Sequence, residues 1–464
     1  MFRCTNAKAT VVGLGATGLS LVRFLRKSGA TVRVIDSNET PLALQQLRQD
    51  FPDVAFQALD LARDALPASD FVALSPGVPR ASVALSSALA SGIPVFGDIE
   101  LFAREVSPKA SVFAVTGSNG KTTTTALAAQ LAKRTRSDAR TAGNIGVPIL
   151  DALAEAPACS TWVLELSSFQ LESTESLRLE SAAVINVTDN HLDRYPSFLG
   201  YAAAKERIFS HAKRQVLNRA DPWSMSMRRV GCEVTSFGAT PATSDCDFGV
   251  DAVGGRLALM HGQTAVLAMD EMGIGGAHNT QNALAALALV DSLEVPAEAQ
   301  RDVLRNFSGM PHRFQLIGSI EGVNIIDDSK ATTVIATTAA LLGNTTPTWL
   351  IAGGDGKGQA FADLGRVASS SCKAVHLIGR DALLIASVLQ ASGVPHRIFK
   401  TLDDATNAAL DGAVAGDQVL LSPACASWDM FRNYGHRAEV FATAAREWSR
   451  SHGRTFVARG ASAS

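Results

Sequence analysis

Cysteine is scarce in this chain: six among 464 residues, at positions 4, 159, 232, 246, 372 and 425, each standing alone. They form no CxxC pair and no spacing of zinc-ligand type, so neither a disulfide scaffold nor a thiolate metal site is supported, and a reducing compartment fits. A run of about 18 apolar residues is also missing, which argues against a membrane-spanning helix. The polar start at 1–6 leads straight into a strand-like segment, which argues against a signal peptide. Long basic runs are absent too, and 42 Lys+Arg against 44 Asp+Glu leave a net charge of −2. That balance lacks the electrostatic footprint of a nucleic-acid binder, so any nucleotide partner is expected to be a small molecule. A cytoplasmic protein is the expectation, with neither membrane nor nucleic acid as partner.

With 47% apolar residues, 37 Gly and 17 Pro, the chain is neither disordered nor collagen-like. At about 150 residues per domain its length suggests three domains. Short β-branched runs at 10–12, 31–35 and 71–74 alternate with helix-length segments such as 19–28. This alternation reads as βαβ units around a parallel sheet, so the fold class is α/β. The pattern restarts at 112–115 and continues through 162–164 and 182–187. Between 231 and 276 it loosens into Gly-rich alternating pieces, expected as antiparallel hairpins, before a helix over 279–293. Breakers at Ser308-Gly309-Met310-Pro311 mark a second boundary. Strand-like runs at 324–326, 348–351, 374–378 and 418–421 then alternate with helices again. Domains are therefore placed at 1–107, 108–309 and 310–464, with a frayed tail from Gly453.

Two strand-to-helix turns carry phosphate chemistry. Gly13-Leu14-Gly15-Ala16-Thr17-Gly18 is followed by Asp36 at the end of the next strand. Glycines allow close backbone approach, the helix N-terminus supplies N–H groups, and Asp36 could accept from a ribose or base. A dinucleotide or a nucleotide sugar satisfies the same physics, and a tight turn without a ligand uses the same glycines. The second turn is Thr116-Gly117-Ser118-Asn119-Gly120-Lys121-Thr122-Thr123. Its backbone can cradle phosphates, Lys121 can neutralise β- and γ-oxygens, and a hydroxyl such as Thr122 can reach Mg²⁺. Val115 stands where a P-loop has its first glycine, so this is a shortened variant.

Other residues are ambiguous when read singly. Glu165, at the end of a strand, is placed as a hard-cation ligand. His191 reads as a loop or capping histidine, and Lys205 as a solvated helical lysine. Asn279 fits either a helix N-cap or an aminopurine edge. Lys357 fits a plain loop lysine, and Lys330, after Asp327-Asp328, a salt-bridge partner.

The ATP-type loop resembles that of the Mur ligases and folylpolyglutamate synthetases, which join an amino acid to a carboxylate using ATP. Further segments, in order, strengthen the resemblance to the Mur ligase family: Gly143-Asn144-Ile145-Gly146, Glu165-Leu166-Ser167-Ser168-Phe169-Gln170-Leu171, Asn190-His191-Leu192-Asp193-Arg194, Pro311-His312-Arg313, Asp328-Ser329-Lys330-Ala331-Thr332, Gly353-Gly354-Asp355-Gly356-Lys357 and Ser422-Pro423-Ala424-Cys425-Ala426-Ser427. They point to the branch that adds D-glutamate to UDP-N-acetylmuramoyl-L-alanine through an acyl phosphate. The resemblance implies a Rossmann-like N-terminal domain, a P-loop-type central ATPase domain and a Rossmann-like C-terminal domain in a monomer. It implies nucleotide-sugar contacts from Gly15, Thr17, Gly18, Asp36, Ser37, Ser75, Gly77 and Asn144. ATP would be held by 117–123 (Gly117, Ser118, Asn119, Gly120, Lys121, Thr122, Thr123) with Asn279, Arg313 and Asp328. Two Mg²⁺ would lie on Thr122, Glu165, His191 and a carbamylated Lys205; Lys121, His191 and Lys205 would be catalytic. Glutamate would meet Lys330, Thr332, Lys357, Ser427 and Tyr434. Three features depart from the family pattern: Ser37-Asn38 where Thr-Arg is frequent, Trp428 where a smaller apolar residue is common, and Tyr434 where Phe is frequent. An NAD-dependent oxidoreductase, suggested by the first glycine turn, leaves Lys121, Glu165 and Lys357 without a task; a non-catalytic nucleotide-binding scaffold would bind ATP without turnover.

Overall fold

The computed structural model describes residues 4–41, 43–188, 194–342 and 346–458. Three sheets organise them. The first comprises β1 (Lys8–Val12), β2 (Thr31–Asp36), β3 (Ala55–Ala58), β4 (Phe71–Leu74) and β5 (Val95–Gly97), all parallel in the order β3-β2-β1-β4-β5. The chain leaves β1 toward one edge and returns to β4 on its other side, so the loops after β1 and β4 flank the crevice where open α/β sheets bind ligands. The helix Ala16–Lys27 follows β1; it buries Leu19, Leu21, Val22 and Leu25 and ends in Arg26 and Lys27, which complement the helix dipole.

The second sheet has nine strands: β6 (Ser111–Thr116), β7 (Arg140–Gly143), β8 (Thr161–Glu165), β9 (Leu179–Val184), β10 (Ala212–Asn218), β11 (Glu233–Phe237), β12 (Phe248–Val253), β13 (Arg256–His261) and β14 (Thr264–Ala268). Their order is β14-β13-β12-β11-β10-β9-β6-β8-β7, with only β12 to β14 antiparallel. The hairpin between β12 and β13 turns on Gly254 and Gly255, both at positive φ, as a two-residue turn of the primed kind demands. The Gly-rich stretch is therefore an extension of the large sheet. A continuous apolar core runs from Leu21 and Val22 of the first helix through Ile99 and Phe102 to Trp162 and Leu164, with Phe102 edge-on to Trp162 at 5.4 Å. The first two sheets thus share one compact unit, which reaches Glu271 and includes Asn279–Leu304.

A second unit takes Met272–His278 and the chain from Arg305. Its sheet contains β15 (Gln315–Ile320), β16 (Val323–Asp327), β17 (Thr348–Gly353), β18 (Cys372–Ile378), β19 (His396–Ile398), β20 (Gln418–Leu421) and β21 (Phe456–Ala458), in the order β19-β18-β17-β20-β16-β15-β21. Ile326, Leu350 and Leu420 enter one core while Ile325, Ile351, Val419 and Leu421 enter another, so the two-residue period covers both faces. The expected frayed tail is corrected here: Phe456–Ala458 pairs antiparallel with β15. Phe456 lies so close over Gly318 that a Cβ there would sit 2.5 Å from its ring. The strand expected at 182–187 ends at Val184, and the helix expected over 279–293 runs Ala277–Leu289 with a 3₁₀ turn at Asp291–Leu293.

Candidate active site

The buried strand β6, flanked by β9 and β8, delivers the 117–120 loop to the N-terminus of the helix Lys121–Lys133. Two of its glycines are dictated by space. A Cβ on Gly117 would meet Ile185 Cγ1 at 2.5 Å, and one on Gly120, at φ +80°, would meet Asn282 Oδ1 at 2.3 Å. Asn186 fixes the turn. Its Oδ1 accepts from the N–H groups of Ser118 (3.0 Å) and Asn119 (2.8 Å), and its Nδ2 donates to Asn119 O (3.0 Å). The Ser118 hydroxyl donates to Thr188 O at 3.0 Å and lies 3.1 Å from the Tyr201 hydroxyl. No side-chain hydrogen bond caps the following helix at Gly120, so the positive end of its dipole faces the turn, where an anion is favoured. Thr122 is buried in the first turn and Thr123 half-buried beside it.

Two lysine side-chain nitrogens converge on this turn. Lys121 Nζ donates to Gly117 O (2.9 Å) and Ser118 O (3.1 Å), and Lys205 Nζ donates to the same Gly117 O at 2.8 Å. Lys205 is only 1% exposed and sits 4.5 Å from the centre of the Tyr201 ring, so the reading of a solvated helical lysine is overturned. Burial, and secondarily the charge of Lys121, push its amine well below the ordinary lysine range. On the adjacent strand Glu165 pairs with Val115 in register and is 2% exposed. Its Oε1 accepts from Asn144 Nδ2 at 2.9 Å, whereas Oε2 is buried without a hydrogen-bond partner, as is the hydroxyl of Thr116. A buried carboxylate oxygen left bare is costly unless a cation completes it, and this is the donor chemistry a hard divalent ion takes. Among the described residues no three His, Cys, Asp or Glu side chains gather as a metal cluster; His191 lies outside the described residues.

In the first sheet's crevice, Gly13, at φ +93°, packs where a Cβ would meet Ser75 Cβ and Val78 Cγ2, both at 2.8 Å, while Gly18 fits against Gly13 O. Gly15 and Gly77 have open space around their Cα atoms, which permits close approach by a ligand. Asp36 accepts from the N–H of Leu14 (2.6 Å) and of Asn38 (2.9 Å), so its carboxylate orders the glycine turn. Thr17 is half-buried in the first helical turn, and Ser37 is exposed.

In the second unit, the loops after β16, β17 and β20 come together. Asp328 is buried, accepting from Phe314 N (3.0 Å) and the Ser422 hydroxyl (2.7 Å); burial, and less so neighbouring Asp327, raise its carboxyl to about 7. Lys330 Nζ lies 5.2 Å from the centre of the Tyr434 ring, a cation–π contact in place of the salt bridge that its acidic neighbours suggested. The Thr332 N–H donates to Lys330 O. Exposed Lys357, at φ +51°, donates its N–H to Asp355 Oδ1 (2.8 Å), and Asp355 is ion-paired with Arg380. Ser427 is buried, and its carbonyl accepts from Met430 and Phe431. Arg313 is half-buried with Nε unpartnered. Asn279, in the first unit, accepts from Asn282 Nδ2 at 3.4 Å.

The sequence gives no sign of fully buried Arg437. Its guanidinium donates to Ser329 Oγ (3.0 Å), Ser329 O (2.8 Å) and Cys425 O (3.1 Å), tying the loop bearing Lys330 to the one bearing Ser427. Asn186 was equally silent: a polar residue after a strand carries no mark of which loop it will hold.

Comparison with known families divides the chain along the same three sheets. The family model for the Mur ligase middle domain matches residues 115–290, that for the MurD-like N-terminal domain 7–97, and that for the Mur ligase glutamate ligase domain 312–425. The chain is 46% identical over 444 residues to the UDP-N-acetylmuramoylalanine--D-glutamate ligase of Methylobacillus flagellatus, covering 96% of this chain and 98% of that one. This chain belongs to the Mur ligase family. The ligase of the same name from Thiobacillus denitrificans is 45% identical, with 96% of this Mur ligase and 97% of the relative covered. Among solved structures, the UDP-N-acetylmuramate-alanine ligase of Thermotoga maritima superposes with a TM-score of 0.58 at 19% identity, over 95% of this chain and all of that one. MurF of Acinetobacter baumannii gives 0.56 at 18% identity, over 95% and 91%. At such identities they share the three-sheet Mur ligase fold. No helix among the described residues of this Mur ligase is long and apolar enough to cross a membrane.

Proposed function

We propose that this chain catalyses the ATP-dependent addition of D-glutamate to UDP-N-acetylmuramoyl-L-alanine, in peptidoglycan precursor synthesis, as a cytoplasmic monomer. The observation that carries this reading is identity of 43–46% over nearly the whole chain to ligases of that name. Residues 1–107 hold the nucleotide sugar through Gly15, Thr17, Gly18, Asp36, Ser37, Ser75 and Gly77, with Asn144 from the next domain. Residues 108–309 bind ATP on the 117–123 turn with Asn279 at the base, and residues 310–464 hold glutamate through Lys330, Thr332, Lys357, Ser427 and Tyr434 while Arg313 and Asp328 complete the ATP contacts.

The alanine carboxylate attacks the γ-phosphorus of ATP, ADP leaves, and the glutamate amine displaces phosphate from the acyl phosphate with loss of a proton. Both steps gather negative charge, which the Lys121 ammonium and the positive dipole end of the helix Lys121–Lys133 stabilise from fixed positions. Glu165, with its unpartnered Oε2, Thr122, His191 and Lys205 would hold two Mg²⁺, which when bound neutralise phosphate charge. Lys205 suits the carbamylated role. Its buried amine favours the neutral form that adds to CO₂, giving a carbamate and releasing a proton. Ligand-binding cations are local, which is how a chain of net charge −2 serves anionic substrates.

The test is phosphate release from purified protein with Mg-ATP and UDP-N-acetylmuramoyl-L-alanine, supplying D- and L-glutamate in turn. Release with D-glutamate alone is expected; background release with both would overturn the reading.

A further inference from the structure

Arg194 closes the motif Asn190-His191-Leu192-Asp193-Arg194, and nothing above gives it a task. Its side chain is 10% exposed. The guanidinium lies 3.9 Å from the centre of the Phe169 ring and pairs with Glu172 Oε2 at 3.1 Å, both on the short helix Ser168–Glu172 just beyond Glu165. Its Nη1 also donates to Pro76 O (2.9 Å) and Gly77 O (3.4 Å), and its Nη2 to Val78 O (3.2 Å). Three successive carbonyls of the loop after β4 are thus held by one side chain of the ATP-binding domain. The contact is returned: Arg80, from the same loop, donates to Glu172 O at 2.5 Å. On its other side that loop abuts the glycine turn, where Ser75 and Val78 leave room only for Gly13.

We propose that Arg194 is a positioning residue that sets the register of the nucleotide-sugar loop against the strand end carrying Glu165, a role that rests on the reading of function above. A planar fork with five donors can span three carbonyls, an ion pair and an aromatic face at once; a lysine point charge cannot. Loss of that fork lets the loop drift relative to the ATP turn, and misplacement by about 1 Å costs roughly 10²-fold in rate. None of the residues assigned above to ATP lies in that loop.

The experiment uses the full chain with Arg194→Lys, Arg194→Ala and Glu172→Gln. In both Arg194 variants, KM for UDP-N-acetylmuramoyl-L-alanine is expected to rise about tenfold and kcat to fall tenfold or more, without rescue by lysine. Affinity for a non-hydrolysable ATP analogue should stay within about twofold of wild type, and Glu172→Gln should fall between wild type and Arg194→Lys. Hydrogen exchange of the free protein gives a readout independent of activity. The Val78 amide, bonded to Ser75 O at 3.0 Å, is expected to lose protection in the Arg194 variants. Wild-type kinetics in Arg194→Lys, unchanged Val78 exchange, or a parallel loss of ATP-analogue affinity would each overturn the proposal. A wild-type protein inactive on these substrates would instead overturn the reading of function, while Val78 exchange would still decide the coupling.

Discussion

Glu165 and Asp328 are both buried carboxylates, yet they predict opposite experiments. Glu165 keeps one oxygen on Asn144 and leaves the other bare. Glu165→Gln retains the Asn144 contact and the volume, so the unfolding free energy from urea denaturation should change by less than about 1 kcal/mol. Phosphate release should nevertheless fall by at least ~100-fold, because the charge that attracts a cation is gone; an active variant would remove Glu165 from the site. Asp328 has both oxygens engaged and a carboxyl raised to about 7. Between its unfolded value near ~4 and about 7, the native state keeps a proton that the unfolded chain has lost. Its stabilising contribution is therefore full below ~4 and falls as pH rises to about 7, by up to ~1.4 kcal/mol per pH unit. Asp328→Asn can preserve both contacts, since the Ser422 hydroxyl can turn to donate to Thr337 Oγ1 at 3.0 Å. Denaturation curves from pH 4 to 8 should accordingly lose much of that slope in the variant; an unchanged slope would place the titration elsewhere.

The strand-to-helix turns separate glycines needed for space from glycines needed for a ligand. Gly120→Ala places a Cβ at positive φ against Asn282 and should cost about 1–3 kcal/mol in unfolding free energy while abolishing ATP-analogue binding. Gly15→Ala meets nothing within 4 Å and starts from φ −99°. It should leave stability within ~0.5 kcal/mol but weaken nucleotide-sugar binding, read by calorimetric titration. Equal stability in the two variants would refute this distinction. The elements that carry these turns were legible because β1, β4, β6 and β20 are buried, β-branched or apolar runs followed at once by glycine or serine. Strands toward the sheet margin were not: β15, next to the edge, is half-buried with Gly318 within it, and the edge strand β21 has three residues. Lys205 was misread for a related reason. A lysine in a run of alanines looks solvated until Tyr201, one helical turn earlier, is seen to share its buried face. The anchors Asn186, Arg194 and Arg437 were invisible because hydrogen-bond partners far along the chain leave no local pattern.

As a whole, the chain divides into two units with separate apolar cores, one reporting through Trp162 and Trp223, the other through Trp349, Trp428 and Trp448. Calorimetry should resolve two unfolding transitions, and Mg-ATP analogue should raise the one seen by Trp162, whose strand carries Glu165 at its end. A single transition that shifts as a unit would show that the cores melt together. Each sheet is also drawn from one uninterrupted stretch of chain, 8–97, 111–268 and 315–458. During synthesis, at about 5–20 residues per second, the nascent polypeptide therefore never holds more than one unfinished sheet. The last of them stays open along β15 until Phe456–Ala458 leaves the ribosome, so among the described strands that edge is the last to be covered.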